Sequence, residues 1–361
     1  MDESTQHDKP TQTKIAGAAC REVVEVVIPK ITEPSGFLIR RRPCEEPGAG
    51  QVLVRVEATG VSFAEQSMRR GRYPGQPKFP FVPGYDLVGV VLRVGADVSP
   101  TLVGARIAAL TKTGGWTNLA LLSAKEVMPI PNTLDAAEAE ALVVNGVTAW
   151  QMLHRSARVK SGQTVLIHGA NGGVGTILAQ MAIEAGATVI GTAAPRHHDA
   201  LRVLGVDPLN YKDPNLLESI RRIAPMGVNA AFDPIGGKSA EISFQALGRA
   251  GVLVSYGIAG ELKGEGPVVI PFLKHVGRLL WWSVVPNGRK TTFYNVWAGH
   301  TVQRGAFYNR LREDYSRVVS LLQNGKLTPQ IAARFPLEQA VAAMELAESR
   351  TAYGKVILIP D

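Results

Sequence analysis

Several classes of protein need residues that this sequence has in small numbers or not at all. Its two cysteines, Cys20 and Cys44, cannot form a disulfide framework or a four-thiolate zinc site. Its longest apolar runs, such as LLWWSVV at 279–285, fall far short of the ~20 residues needed to cross a bilayer. The opening segment, MDESTQHDKPTQTK, is polar and does not have the pattern of a secretory signal. These absences predict a soluble, cytoplasmic protein with reduced thiols.

Dense charge is also scarce. The chain has 39 basic and 31 acidic residues, a net charge of +8, but the charges are scattered and the one dense basic run is at 40–42. No nucleic-acid-binding motif accompanies that run, so we expect no nucleic-acid partner. An anionic small-molecule ligand explains the net positive charge more simply than a nucleic acid does.

What the chain does have is apolar residues, 45% of its 361 positions, enough for a large core and for two domains. Residues 1–20 are predicted to be a flexible arm. From Val23 to about Pro131, short β-branched runs are punctuated by glycine and proline, which predicts a compact β-rich domain. Examples of these runs are QVLVRV at 51–56, LVGVVLRV at 87–94 and ARIAAL at 105–110.

After Gly162 the pattern changes to alternating strands and helices. Predicted strands lie at 164–168, 188–191, 209–211, 228–233 and 251–256, and predicted helices at 176–185, 198–204, 216–223 and 238–247. Such alternation is typical of an α/β domain with a doubly wound parallel sheet covered on both faces. Two amphipathic helices, at 312–324 and 337–348, and a last strand at 355–359 follow.

The most informative segment runs from Thr164 to Gly175 and reads TVLIHGANGGVG. A buried strand enters a glycine turn and then a helix, the arrangement that binds a pyrophosphate through main-chain amides and the positive end of the helix. The spacing Ala170-x-Gly172-x-x-Gly175 has alanine where the usual fingerprint begins with glycine. Its place between a strand and a helix supports dinucleotide binding.

The end of the second predicted strand indicates which dinucleotide binds. An NAD site places an acidic residue about 20 positions after the glycine turn, but no acid lies between Glu184 and Asp199. The small residues around Thr192 leave room for a 2′-phosphate, and Arg196 supplies a positive charge for it. We therefore predict NADPH, with an ordinary solvated Arg196 as the alternative. His197 and His198 are predicted to be surface residues.

A further segment resembles the N-terminal signature of the medium-chain dehydrogenase/reductase superfamily: Gly84, Tyr85, Asp86 and Gly89. The resemblance extends from about Val23 to the C-terminus. Zinc-dependent members have histidine and glutamate where this chain has Tyr85 and Asp86, and a cysteine in the turn that here reads GVSF at 60–63. The resemblance therefore implies no metal.

The zinc-free quinone oxidoreductase branch, including vesicle amine transport protein-like members, is the closer match. The shared stretches are GVSFAEQSMRRGRY at 60–73, NGVTAW at 145–150, NGGVG at 171–175 and DPIGG at 233–237. This resemblance implies a GroES-like catalytic domain (21–147, completed by 300–361) and a Rossmann NADPH-binding domain (148–299). It also implies reduction of quinones or α,β-unsaturated carbonyls. Homodimers through edge strands of the cofactor domain are common, and 268–270 is the candidate edge strand.

The resemblance also assigns individual residues. Cofactor contacts carried over from the family fall on Thr148, Gly172, Gly173, Val174, Thr192, Arg196, Tyr211, Ser255, Tyr256, Gly257 and Lys355. The candidate catalytic residues are Ser62, which replaces the asparagine of most relatives, and Tyr73, which could instead pack between the domains.

These assignments predict a metal-free reductase in which Ser62 and Tyr73 donate hydrogen bonds to the developing oxyanion of the substrate. A planar, apolar substrate would enter a cleft that could include Phe63, Trp281, Trp282 and Phe293, although the tryptophan pair could equally be packing or a subunit contact. The alternative is a protein that binds NADPH but acts as an interaction or structural protein, because a fold does not dictate a function.

Overall fold

The computed structural model describes residues 22–260 and 268–361, so the predicted arm at 1–20 lies outside the described residues. The β-branched runs of the first part form strands, as predicted. The strands are β1 (Glu22–Val27), β2 (Leu38–Pro43), β3 (Gln51–Val61), β4 (Asp86–Val94), β5 (Arg106–Leu110), β6 (Leu119–Ser123) and β7 (Met128–Pro129), with helix α1 (Phe63–Arg69) between β3 and β4.

A long helical segment links this part to the next. Helices α2 (Ala136–Ala141) and α3 (Val147–Trp150) are joined and extended by two π-helical stretches, Leu142–Gly146 and Gln151–Ala157. Asp135 begins the segment because its side chain accepts a hydrogen bond from the main-chain N–H of Glu138, as is typical of helix N-caps.

The second part has the predicted alternation of strands and helices. Its strands are β8 (Thr164–His168), β9 (Thr188–Ala193), β10 (Asp207–Asn210), β11 (Val228–Asp233), β12 (Leu247–Ser255) and β13 (Lys290–Phe293). Its helices are α4 (Gly173–Glu184), α5 (His198–Val203), α6 (Leu216–Ile223), α7 (Gly237–Ala246) and α8 (Val269–Val284). The six strands pair in parallel in the order β10-β9-β8-β11-β12-β13. This is the doubly wound Rossmann order, in which ligands bind outside the carboxyl ends of the strands at the point where the order reverses, here between β8 and β11.

The C-terminal part returns to the first part. Helix α9 (Arg304–Gln323) is followed by β14 (Ile331–Pro336), α10 (Ala340–Glu348) and β15 (Lys355–Ile359). The last strand pairs antiparallel with β3, so the larger sheet has the order β14-β15-β3-β4-β5-β7, with β6 also paired to β3. Residues from both ends of the chain therefore build one sheet.

The predicted edge strand at 268–270 is wrong. These residues begin helix α8, and the edge of the six-stranded sheet is β13. The short β-branched run VVI is compatible with a strand, but it belongs to a 16-residue helix, Val269–Val284, and this longer pattern decides the structure. No helix in the described part of the chain is both long and apolar enough to cross a membrane.

Candidate functional site

A cleft of about 1810 Å³ is lined by residues from both sheets and from the helices beside them. Every predicted site residue except Ser255 contributes to its wall. These lining residues are Ser62, Tyr73, Thr148, Gly172, Gly173, Val174, Thr192, Arg196, Tyr211, Tyr256, Gly257 and Lys355. The fold thus brings together residues from distant parts of the sequence.

The glycine turn after β8 forms a cradle of main chain. Gly172 donates its N–H to the carbonyl of Gly169 at 3.0 Å, and α4 begins at the next residue. A Cβ at Gly173 would lie 2.4 Å from Asn145 Nδ2, and one at Gly175 would lie 2.2 Å from the Gly169 carbonyl oxygen. The contact at Gly175 is with main chain, so a side chain is excluded there, whereas at Gly173 the Asn145 amide would have to move. The amides at the start of α4 are available to an anion.

Near the carboxyl end of β9, the cleft wall contains the cations Arg196 and Lys212 and one acid, Asp213. Thr192 is buried and its hydroxyl lies 2.9 Å from His168 Nδ1. Arg196 follows at the cleft wall, where its guanidinium donates to the carbonyl of Arg350 at 2.8 Å. Tyr211 is exposed in the same wall, with Lys212 Nζ 5.8 Å from its ring centroid. This end of the cleft suits a ribose that carries a phosphate.

The expectation that His197 is a surface residue is wrong. Its ring is buried and stacks on Tyr353, with a centroid separation of 5.9 Å. The short 3-10 turn Pro195–His197 directs the ring into the protein. Burial and the neighbouring Arg196 lower the pKa of this histidine, so it adds little positive charge to the site.

The opposite end of the cleft is lined by Thr148 and Tyr256. Thr148 is buried in α3 and shares a hydrogen bond with Tyr294, whose hydroxyl donates to Gln151 Oε1 at 2.9 Å. Burial raises the pKa values of Tyr256 and Tyr294. Both phenols are therefore neutral and able to donate or accept hydrogen bonds.

Two predicted cofactor residues direct their functional groups elsewhere. The Ser255 hydroxyl is fully buried and lies 2.7 Å from His275 Nε2. Lys355 Nζ lies 2.9 Å from Asp86 Oδ2 and 2.9 Å from Glu140 Oε1, and all three side chains are buried. Burial alone would lower the Lys355 pKa, but the two carboxylates raise it. Any contact of Lys355 with a cofactor would come from its main chain or its aliphatic stem.

The positions that hold zinc in the metal-dependent relatives have other contacts. Tyr85 directs its phenol to two aromatic neighbours, and Asp86 accepts from Lys355 Nζ and from the main-chain N–H of Val144 at 2.9 Å. Within 22–260 and 268–361, no group of three or more potential metal-binding side chains is found. The donor set at these positions does not fit a zinc ion.

A chain of hydrogen bonds ends at Tyr73. Trp297 Nε1 donates to the Tyr85 hydroxyl at 2.5 Å, and the Tyr85 and Tyr73 hydroxyls lie 2.7 Å apart. Because the Tyr85 oxygen accepts from Trp297, its own proton is free to point toward Tyr73, which leaves the Tyr73 proton for a ligand in the cleft. Burial raises the pKa of both phenols, so Tyr73 is a neutral donor.

Ser62 has a structural role as the N-cap of α1. Its oxygen accepts from the main-chain N–H of Ala64 at 3.1 Å, and its hydroxyl makes a short hydrogen bond with Glu65 Oε2. Glu65 Oε1 in turn accepts the main-chain N–H of Tyr85 at 2.7 Å. Burial raises the pKa of Glu65. The Ser62 proton is engaged with Glu65 when this carboxyl is ionised.

The apolar lining of the cleft was predicted in part. Phe63 and Phe293 lie in its wall, but the suggestion that Trp281 and Trp282 do so is wrong. Trp282 stacks on Phe244 with 4.5 Å between ring centroids, and Trp281 is exposed on the outer side of α8. Both belong to a helix that begins well after β12 and packs outside the sheet.

The sequence did not predict a role in the candidate site for three residues that contact Ser62, Tyr73 or each other there: Glu65, Tyr85 and Trp297. Tyr85 was noted as a departure from the zinc pattern but given no role, and the Glu65 side chain was not assigned one. A capping-box spacing, Ser62-x-x-Glu65, was the available signal for Glu65. No local pattern connects Trp297 with Tyr85, which are 212 positions apart.

Comparisons with known proteins agree with this architecture. The model of the alcohol dehydrogenase GroES-like domain matches residues 48–132, and that of the zinc-binding dehydrogenases matches 204–358. The human synaptic vesicle membrane protein VAT-1 homolog is 31% identical over 324 residues, which cover 87% of this chain and 80% of the relative. Rat quinone oxidoreductase is 30% identical over 323 residues, covering 87% and 90%.

Solved structures show the same relationship. Escherichia coli quinone oxidoreductase complexed with NADPH superposes with a TM-score of 0.81 at 25% identity, covering 93% of this chain and 100% of that chain. Together with the site geometry, these similarities show that the chain belongs to the medium-chain dehydrogenase/reductase superfamily, in its zinc-free quinone oxidoreductase branch.

Proposed function

We propose that this protein is an NADPH-dependent reductase that acts on quinones or α,β-unsaturated carbonyl compounds. The observation that carries the proposal is the Tyr73 hydroxyl, which is held by Tyr85 in the wall of the cleft that also contains the glycine cradle. A neutral hydrogen-bond donor and a dinucleotide site in one cleft are what such a reduction requires.

The cofactor assignment is supported by the cradle and by the cations near β9. Gly175 leaves no room for a side chain, and we infer that the pyrophosphate contacts the main chain at the start of α4. Arg196, Lys212 and Tyr211 would surround the 2′-phosphate. The E. coli quinone oxidoreductase solved with NADPH has the same fold. When bound, NADPH supplies a hydride to a carbon conjugated with the carbonyl of the acceptor.

The chain's own contribution is to stabilise the oxygen of the acceptor. Addition of a hydride to the conjugated carbon moves an electron pair onto that oxygen, and the Tyr73 hydroxyl donates a hydrogen bond to it. Trp297 and Tyr85 orient the Tyr73 proton, and this pre-organisation lowers the cost of charge development. The oxygen or the α-carbon then takes its proton from Tyr73 or from water. Ser62 stays a second candidate donor while Glu65 is protonated.

Replacement of Tyr73 with phenylalanine tests this role. We expect kcat to fall by roughly 100- to 1000-fold, the usual effect of losing a positioned proton donor, with the Kd for NADPH unchanged. The assay follows the loss of NADPH absorbance with a panel of quinones and enones. Undiminished kcat in Tyr73→Phe would contradict the assignment of Tyr73.

The alternative function is a protein that binds NADPH without turnover. Its support is Ser62, which has replaced the asparagine of most relatives and is engaged in capping α1. Tight NADPH binding with no oxidation by any acceptor in the panel would favour this alternative. We also propose that the protein acts in the cytoplasm as a homodimer, which cell fractionation and light scattering would test.

A further inference from the structure

Lys112 places a positive charge in the wall of the cleft beside Tyr73. Its Nζ lies 6.0 Å from the centroid of the Tyr73 ring and 3.4 Å from the point where a Cβ on Gly75 would be. The side chain is half-buried and lines the cleft. The ammonium group therefore lies next to the phenol that we assign to the oxygen of the acceptor.

The main chain of Lys112 is held by the segment that supports Tyr73. Its N–H donates to the carbonyl of Tyr85 at 3.1 Å, and the N–H of Thr111 donates to the same carbonyl at 2.9 Å. The Thr111 hydroxyl donates to the carbonyl of Gly84 at 2.7 Å. Lys112 has a φ of 66°, in the left-handed region where glycine is the usual residue. The turn by itself would favour glycine, so it does not account for the lysine side chain.

No acidic side chain in the described part of the chain forms an ion pair with Lys112. The acids that reach the cleft wall lie elsewhere or have other partners. Glu348 pairs with Arg69 at 2.5 Å and with Arg70 at 2.7 Å. Asp213 follows β10, at the cofactor end of the cleft. The positive charge of Lys112 is therefore available to a ligand in the cleft.

The proposed cofactor contacts do not use this charge. The phosphates of NADPH are assigned to the glycine cradle and to Arg196, whereas Lys112 lies beside Tyr73. A neutral quinone or enone would also leave the ammonium group without an anion. An anion is its best partner, because charge-assisted hydrogen bonds are shorter and stronger than those between neutral groups. Arg72, which precedes Tyr73 and also lines the cleft, adds to the positive potential there.

We propose that the preferred acceptor is a quinone or an α,β-unsaturated carbonyl compound with a carboxylate or another anionic substituent, which binds to Lys112 while the carbonyl oxygen binds to Tyr73. Binding at two points fixes the orientation of the acceptor in the cleft. Lys112 takes no part in the transfer of the hydride or the proton; it determines which acceptors bind. The inference rests on the proposed reduction for turnover, but binding of the anion does not require that reaction.

A matched pair of acceptors tests this role of Lys112: a 1,4-naphthoquinone with a propanoate side chain, and its methyl ester. The two methylenes of the side chain insulate the quinone from the charge, so the two acceptors have nearly the same intrinsic reactivity. For the wild type we expect kcat/KM with the acid to exceed that with the ester by about 10- to 150-fold, the range for a charge-assisted hydrogen bond, mainly through a lower KM. The assay follows the loss of NADPH absorbance.

Three variants show whether Lys112 causes the preference for the acid. Lys112→Met should abolish it, because methionine keeps an unbranched stem without the charge. Lys112→Arg should retain most of it, because the charge is kept. Lys160→Met is the matched control, since Lys160 is exposed just before β8 and lies outside the cleft wall, and it should have the wild-type preference. NADPH binding by each variant shows that it is folded.

The outcomes separate this inference from the proposed function. A wild type that reduces acid and ester equally well, or a Lys112→Met variant with the wild-type preference, would overturn the role of Lys112 and leave the proposed reduction intact. If no acceptor oxidises NADPH, the proposed reduction fails, and calorimetry with the redox-inert carboxylate 3-(2-naphthyl)propanoate and NADP⁺ then decides the role of Lys112. We expect its Kd to be at least about 10-fold higher in Lys112→Met than in the wild type, and equal Kd values would overturn the inference.

Discussion

The cofactor end of the cleft is made largely of main chain, whereas the substrate end is made of side chains that meet across the fold. At the first end, Gly172, Gly173 and Gly175 shape a turn between a strand and the helix that follows it. At the second, Tyr73 contacts Tyr85, which in turn contacts Trp297, 212 positions away in the sequence.

This difference indicates which substitutions each end of the cleft tolerates. A main-chain site is lost when any side chain intrudes, because the close approach of the backbone to the ligand is its binding mechanism. A side-chain network instead weakens in steps, because each hydrogen bond contributes a limited free energy and the ring of a substituted residue still fills its space. The following substitutions test this difference between the two ends of the cleft.

After the loss of kcat expected for Tyr73→Phe, the largest effect is expected at the main-chain end. Gly175→Ala places a Cβ 2.2 Å from the Gly169 carbonyl oxygen, so the turn must shift, and we expect the Kd for NADPH to rise by roughly 100-fold. Fluorescence titration measures the Kd. Gly305→Ala is the matched control, since no atom is within 4 Å of its added Cβ. Wild-type affinity in Gly175→Ala would mean that the cradle does not bind the cofactor.

The next effect concerns Arg196, the guanidinium that we assign to the 2′-phosphate. Arg196→Ala should raise the Kd for NADPH by about 10- to 150-fold, the range for a charge-assisted hydrogen bond, and leave the Kd for NADH nearly unchanged. Arg202→Ala is the control, because Arg202 pairs with Asp199 on the exposed side of α5. Equal loss of affinity for both cofactors would refute this role of Arg196.

The substrate end should respond more mildly to loss of a supporting phenol. Tyr85→Phe removes the hydroxyl between Trp297 and Tyr73, and we expect kcat to fall by roughly 3- to 10-fold with an unchanged Kd for NADPH. In a Tyr73→Phe background the same substitution should have no further effect on kcat, because Tyr85 acts through Tyr73. Tyr353→Phe, outside the cleft wall, is the control. If the losses of kcat are additive in the double variant, Tyr85 does not act through Tyr73.

The smallest effect is on stability and depends on pH. Burial raises the pKa of Glu65 above its usual 4.5, so the folded state binds this proton more tightly than the unfolded state. The resulting stabilisation is present at pH values below about 4.5 and is lost as the pH rises through the raised value. Asp86 also raises this pKa, and Ser62 and Lys355 lower it.

Glu65→Gln keeps the capping geometry without the titration. At pH values between about 4.5 and the raised pKa of Glu65, the free energy of unfolding of the wild type should fall as the pH rises, whereas that of Glu65→Gln should not. The difference between the two proteins should change by up to about 1.4 kcal/mol for each pH unit. Urea unfolding at a series of pH values measures the difference. A difference that is constant with pH would show that Glu65 does not titrate abnormally.

Much of the fold could be predicted because its causes are local. The helix at Leu216–Ile223 and the strand at Val228–Asp233 have the predicted bounds, since apolar periodicity and turn residues act over a few positions. The residues 268–270 were misread because a short β-branched run has the same local appearance at the start of a helix as in a strand. For Trp281 and Trp282 the sequence leaves a place in the cleft and packing as equal alternatives, and the structure shows packing for Trp282, because the helix that carries both lies outside the sheet.

The amino-acid sequence by itself determined the doubly wound sheet, the glycine cradle and the absence of an acid after β9, because strand, turn and helix N-terminus are contiguous and their hydrogen bonds are formed between neighbours. Only the tertiary structure decided that Trp297 contacts Tyr85, that Lys355 lies between Asp86 and Glu140, and that Leu280 and Trp281 of α8 face outward. These contacts join residues up to 269 positions apart, and the packing of whole sheets and helices, not any local pattern, brings them within hydrogen-bond distance.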